Sequence, residues 1–209
     1  MRTYSRDILV LHSYNILLLL FSLCDKISMS KVWKNPILIP QWVSVSIEDN
    51  IATIQWPKWV LSQKIFAGIN AVVDNNVVIL SCDDVALWKY WGTMRALLAH
   101  MVKGVSEWYT KSLQVIWVWF DAVLQGSLIN FKLWFSHPVV FTIPTGIEVR
   151  IEKDPKWNPL IHLASYDKQL IWEVAAKIRK LKKPEPYKWK GIRFLGEVIK
   201  LKAWKAAKK

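Results

Sequence analysis

Four histidines, His12, His100, His137 and His162, are the side chains of this 209-residue chain best suited to acid–base chemistry, yet they lie in four separate segments. None has a partner at catalytic spacing. The chain has no His-Glu-x-x-His pair and no glycine-rich phosphate loop. Cys24 and Cys82 are fifty-eight positions apart, which makes neither a zinc nor a redox motif and fits a reducing compartment. A nucleophile and a base do adjoin in Ser136-His137-Pro138, but neighbours on an extended chain point to opposite faces, so the pair reads as loop donors of hydrogen bonds. Asp83-Asp84 and Glu48-Asp49 read as cap and turn residues rather than metal ligands. The expectation is a protein that binds, with no enzyme activity, no cofactor and no metal.

Charge gives the binding reading its direction. There are 29 Lys and Arg against 16 Asp and Glu, a formal net charge of +13. Residues 177–209 contain thirteen of the basic side chains and two acids, Glu185 and Glu197, so +11 of that surplus sits in the last thirty-three positions. The body of the chain is nearly neutral and its end is cationic. Such an end suits a polyanion, nucleic acid first and an acidic membrane second. A solvated tail is the plain alternative, but Tyr187, Trp189, Ile192, Phe194, Val198 and Ile199 interleave with the cations, as in a surface that both folds and binds.

The elements that must position this end follow from periodicity. Residues 43–54 alternate apolar and polar on both sides of Glu48-Asp49-Asn50, and Asn75-Asn76 turns residues 71–73 into 77–80, so two hairpins are predicted. After Asp83 and Asp84, the expected caps, Leu87, Trp91, Met94, Leu98, Met101, Val102 and Val105 form one stripe of a long helix. The order then recurs. Residues 113–123 and 127–135 alternate about Gln125-Gly126, residues 138–151 are strand-like around Pro144-Thr145-Gly146, and Asp167 caps a helix with Leu170, Ile171, Val174, Ala175 and Ile178 on one face. This predicts an α+β fold of two similar modules, each an antiparallel sheet packed with a helix, at 29–110 and 111–209.

Residues 1–28 stand apart, with apolar patches at 8–11 and 16–23 after Arg2 and Arg6. They read as a secretory h-region, as an anchor too short to span a bilayer as a helix, or as upstream sequence preceding a start at Met29. The last is preferred. A membrane-associated basic protein, anchored by residues 8–23 with its Trp/Lys-rich tail on anionic lipid, is the alternative function.

The run Pro184-Glu185-Pro186-Tyr187-Lys188-Trp189-Lys190-Gly191-Ile192-Arg193, with Gly196-Glu197, resembles the signature of the large-subunit ribosomal protein six family in its bacterial and organellar form. The resemblance extends through Asn35-Pro36-Ile37, Gly92-Thr93, Arg95-Ala96-Leu97-Leu98, Phe135-Ser136-His137-Pro138-Val139, Gly146-Ile147 and Asp167-Lys168-Gln169. It implies a non-catalytic, duplicated α+β protein of the large ribosomal subunit that binds large-subunit rRNA near the factor-binding side. Neighbouring large-subunit proteins, and translation factors close by, are the implied protein partners. The implied location is the ribosome of a bacterial cytoplasm, or else an organellar ribosome. The RNA-facing candidates it implies are Ser136, His137, Arg179, Lys182, Lys183, Tyr187, Lys188, Lys190 and Arg193, with the cations on phosphates.

The chain departs from that family in one systematic way. Trp stands where the family has Gly at 33, 42, 56, 59, 108, 117, 119, 134, 172, 189 and 204, while the chain holds fourteen Trp and only seven Gly. Ordinary usage of about 7% Gly would give roughly twice that number. These positions read as UGA codons translated as glycine, and 23 Lys against 6 Arg fit an A/T-rich genome. Were the indoles present, overpacking and poor folding would be expected, with Trp117 and Trp119 side by side on one strand face.

Overall fold

The computed structural model describes residues 35–82, 84–155 and 158–202. Residues 1–34, including the whole of the 1–28 segment and Trp33, lie outside them, as do Asp83 and Trp204. The described residues from Pro36 onward form one compact unit containing two hydrophobic cores.

The first core is built by six strands and a helix: β1 (Ile37–Leu38), β2 (Ser44–Glu48), β3 (Ile51–Trp56), β4 (Trp59–Lys64), β5 (Ile69–Asp74), β6 (Val77–Cys82) and α1 (Trp88–Glu107). Two antiparallel sheets result, in the orders β1-β6-β5 and β2-β3-β4. Their turns are the expected ones. Asp49-Asn50 and Asn75-Asn76 have positive φ at both residues (48° and 59°, 42° and 64°), the geometry that matches a two-residue turn to strand twist and that Asn and Asp tolerate best. Met94, Leu98, Val102 and Val105 of α1 are buried against Ile37, Ala52, Ile54, Ile69, Val78 and Leu80.

The second core repeats this plan strand for strand. It comprises β7 (Tyr109–Ile116), β8 (Asp121–Gln125), β9 (Leu128–Lys132), β10 (Val139–Thr142), β11 (Glu148–Lys153), β12 (Pro159–Ser165) and α2 (Lys168–Leu181), followed by β13 (Gly191–Phe194). The sheets are β10-β9-β8 and β11-β12-β7-β13. With β7 set on β1 and so on through β12 on β6, every pairing of the first module recurs, and β13 is an addition on the free side of β7. Such identity of order is what duplication leaves behind.

Several expectations need correction. The stretch 113–123 is not one strand: it breaks at 117–120, where the Phe120 N–H donates to the Trp117 carbonyl at 3.1 Å, and β7 and β8 enter different sheets. Trp117 and Trp119 therefore sit in a turn and not on a strand face. The β8–β9 turn is Gly126-Ser127, one residue later than expected, with Gln125 paired to Leu128. Asp84 caps a short 3-10 turn at Val85–Leu87 instead of α1, its Oδ1 accepting from the Ala86 N–H at 2.9 Å. The described tryptophans all lie partly or largely at the surface.

The two modules meet where α1 passes the β12–α2 corner. A Cβ at Gly104 would fall 2.0 Å from the Tyr166 carbonyl oxygen, so only glycine permits this approach. Nearby, Trp59 stacks on Tyr166 at 5.0 Å between ring centroids, and Lys168 Nζ lies 2.8 Å from His100 Nε2. Burial, then the charges of Lys168, Arg95 and Lys103, hold the His100 imidazole below its usual pKa of 6.5, so the neutral ring accepts from the ammonium.

Candidate nucleic-acid interface

Helix α2 is the platform of the cationic end. Its N-terminus is capped by Asp167, whose side chain accepts from the Gln169 N–H at 2.8 Å, and the buried face Ile171, Val174, Ala175 and Ile178 locks it to the second core. Arg179 and Lys180 fill its last turn, where positive charge suits the helix dipole. The chain then passes Lys182 and Lys183 into a tight turn. Glu185 N–H donates to the Lys190 carbonyl at 2.8 Å, and Trp189 N–H to the Glu185 carbonyl at 3.1 Å. The Ile192 N–H returns to the Lys182 carbonyl at 2.8 Å, pinning the turn to the end of α2.

Gly191 makes that return possible. Its φ is 135°, and a Cβ there would lie 2.7 to 2.9 Å from Lys183 O, Pro184 Cα and Lys182 O. The following residues pair with β7 as β13, burying Ile192 completely. Among the described residues, the basic stretch 182–194 is thus a folded turn and strand.

The loop between β9 and β10 faces this turn from the other sheet. Ser136 and His137 are both exposed, with the His137 ring stacked on Phe135 at 5.8 Å. Lys182 Nζ lies 4.5 Å over the same Phe135 ring, joining the loop to the end of α2. Lys190 Nζ lies 3.4 Å over Trp117. A hollow of about 530 Å³ is lined by Trp117, Phe120, Trp134, Lys182, Lys183 and Lys190, with Glu185 at its rim. Lys183, Tyr187 and Lys188 are exposed. Of the nine expected residues, Lys182, Lys183 and Lys190 line this hollow, and Lys182 over Phe135 links it to the loop that carries Ser136 and His137.

Arg179 and Arg193 are engaged inward. Arg179 Nε donates to Glu197 Oε2 at 3.1 Å, a second bond runs from its Nη2 to Oε1, and the Phe194 N–H donates to the same carboxylate at 3.0 Å. The Arg179 hydrogen bonds, aided by the Phe194 amide, hold the Glu197 carboxyl below the usual range against the opposing effect of burial. Arg193 Nη2 donates to Gln114 Oε1 at 3.3 Å, and its guanidinium stands 5.6 Å over Trp189. Arg179 fastens the segment after β13 to α2, and Arg193 braces β13 on β7. Glu197 and Gln114 carry no local pattern that would single them out, since each meets its arginine only through the fold.

Among the described residues no cluster of three or more His, Cys, Asp or Glu could hold a metal ion. No helix among them is long and apolar enough to cross a membrane. Residues 8–23, on which the membrane alternative rests, lie outside the described residues.

The class defined by fold and surface is a duplicated α+β protein whose second module ends in a cationic, aromatic face. A family model described as Ribosomal protein L6 matches residues 120–194. Curated relatives extend the match. The large ribosomal subunit protein uL6 of Amoebophilus asiaticus is 42% identical over 184 residues, covering 87% of this chain and all of the relative. Its counterpart in Phocaeicola vulgatus is 40% identical over 186 residues, covering 86% and 98%. That of Flavobacterium johnsoniae is 40% identical over 181 residues, covering 86% and 100%. The chain belongs to the ribosomal protein L6 family.

Proposed function

We propose that the chain is a structural, non-catalytic constituent of the large ribosomal subunit, and that the face around Lys182, Lys183, Tyr187, Lys188, Lys190, Ser136 and His137 grips large-subunit rRNA. The supporting observation is convergence: Lys182 over the Phe135 ring brings the loop of Ser136 and His137 beside the lysines that follow α2, from two chain segments some fifty residues apart. The names of the relatives place them in the same subunit. Lysines there meet phosphates, while Ser136 and His137 supply hydrogen bonds, a recognition directed by the shape of folded RNA with little reading of bases. Neighbouring large-subunit proteins are partners in that setting, as are translation factors if the face lies at the factor-binding side. The site of action is the ribosome in the cytoplasm.

The test is a salt titration. Replacing Lys183, Lys188 and Lys190 together with Gln weakens binding to a large-subunit rRNA fragment irrespective of its sequence, and flattens the log affinity against log salt by about two to three. An unchanged slope would show that these lysines face solvent and would overturn the reading. Co-sedimentation with ribosomal particles survives detergent; release by detergent would favour the membrane reading instead.

A further inference from the structure

We infer from the backbone that residues 108, 134 and 189 are glycine in the protein its own cell makes, the tryptophans being UGA codons read with a translation table that assigns UGA to tryptophan where the cell assigns it to glycine. Among the described residues, seven that are not glycine have positive φ. Four are the Asp and Asn residues of the two hairpin turns, where a short polar side chain tolerates the left-handed region. The other three are all tryptophan: Trp108 at 51°, Trp134 at 57° and Trp189 at 60°. A bulky aromatic residue is among the poorest choices there, and glycine is the default.

Each of the three sits where glycine has a job. Trp108 ends α1, its N–H returning to the Gly104 carbonyl at 3.0 Å, and its ψ of 147° lies beside a region that is essentially reserved for glycine. Trp189 closes the tight turn after α2, two residues before Gly191. Trp134 opens the β9–β10 loop with its side chain 73% exposed, so burial of the ring does nothing to offset the backbone strain. Trp108 has ring neighbours, Trp59 and Tyr166, both edge-on. The indole, the largest side chain, is repeatedly found where the smallest is required. One systematic misreading explains all three, together with the inverted totals of seven Gly and fourteen Trp.

The inference stands independently of the RNA reading, but it changes the surface on which that reading rests. Trp134 lines both the 530 Å³ hollow beside Lys182 and Lys190 and a larger one of about 710 Å³ beside Phe135, Ser136 and His137. With glycine at 134 these open onto each other. With glycine at 189, the Arg193 guanidinium loses its aromatic cover.

Two measurements decide it. In the coding DNA, codons 108, 134 and 189 should be TGA and codon 91, inside α1 at ordinary helical φ, should be TGG; TGG at the three positions overturns the inference. In the protein isolated from its source, mass spectrometry of tryptic peptides 104–111 and 133–150 should find glycine at 108 and 134 and tryptophan in peptide 90–95. Tryptophan at 108 and 134 overturns it even if the codons are TGA. A recombinant pair separates strain from decoding: the chain with Trp108→Gly, Trp134→Gly and Trp189→Gly should melt several degrees above the chain as written, and equal or lower melting would refute the backbone argument.

Discussion

The two modules share every strand pairing and one helix each, yet they differ at three points that all concern the cationic face. The first strand has two residues in the first module and eight in the second. The first module's sheet ends at that strand, whereas the second continues through β13. Helix α1 begins without a side-chain cap, whereas α2 is capped by Asp167 and ends in arginine and lysine. A long β7 offers an edge, β13 occupies it, and the turn leading into β13 is pinned to the end of a well-anchored helix. Duplication thus supplied a frame, and the specialised surface was added where that frame left a strand unpaired.

The comparison breaks most readily at Gly191, which has no counterpart in the first module. Gly191→Ala sets a Cβ against three backbone atoms and strains a positive φ, so it should destabilise the protein by about 3 kcal/mol or more and expose the β7 edge to hydrogen exchange. Gly126→Ala, in an open turn with nothing near its Cβ, should cost only about 1 kcal/mol. Equal losses in thermal melts would mean that β13 does not dock as described.

Glu197→Gln comes next. It removes the charged partner of Arg179 and should cost about 1.5 to 3 kcal/mol. The pH dependence has a definite sign. Because folding lowers the Glu197 pKa, its stabilisation is complete above the unfolded value near 4.3 and is lost as pH falls through the folded one. The variant should therefore show a shallower loss of stability on acidification below about pH 5; parallel curves would show that the pair contributes nothing.

The smallest effect sharpens the contrast between the helices. Asp167→Ala should cost about 1 kcal/mol and fray the first turn of α2. Leu87→Asn, at the uncapped start of α1, should change stability by no more than a similar amount in the favourable direction. Circular dichroism melts of both variants check the pair.

Much of this arrangement was legible in the sequence because its signals are local. The Asp49-Asn50 and Asn75-Asn76 turns, the Asp167 cap and the buried stripe of α2 are each written within a few residues. The strands β1, β4, β12 and β13 carry no such local signal. Trp56 and Trp59 hide the turn that leads into β4, Pro159 opens β12 as a turn would, and β13 is only four residues long, with its stability coming from β7 some eighty positions earlier. The break between β7 and β8 was concealed by Trp117 and Trp119, two large apolar side chains that read as strand in a segment the backbone folds as a turn. Of the candidate surface, the loop and lysine positions could be picked out. The inward engagement of Arg179 and Arg193 could not, because Glu197 and Gln114 reach them only across the folded sheet.

The pairing of β13 with β7 joins the last strand among the described residues to the one that opens its half. On a translating ribosome the amino-terminal half can finish its core while the remainder is still being made, as domains generally do. The later half has to wait for its own last strand to emerge. Polypeptides cut short by premature termination would lack the pinned basic turn, so only full-length copies would compete for a place in a nascent particle.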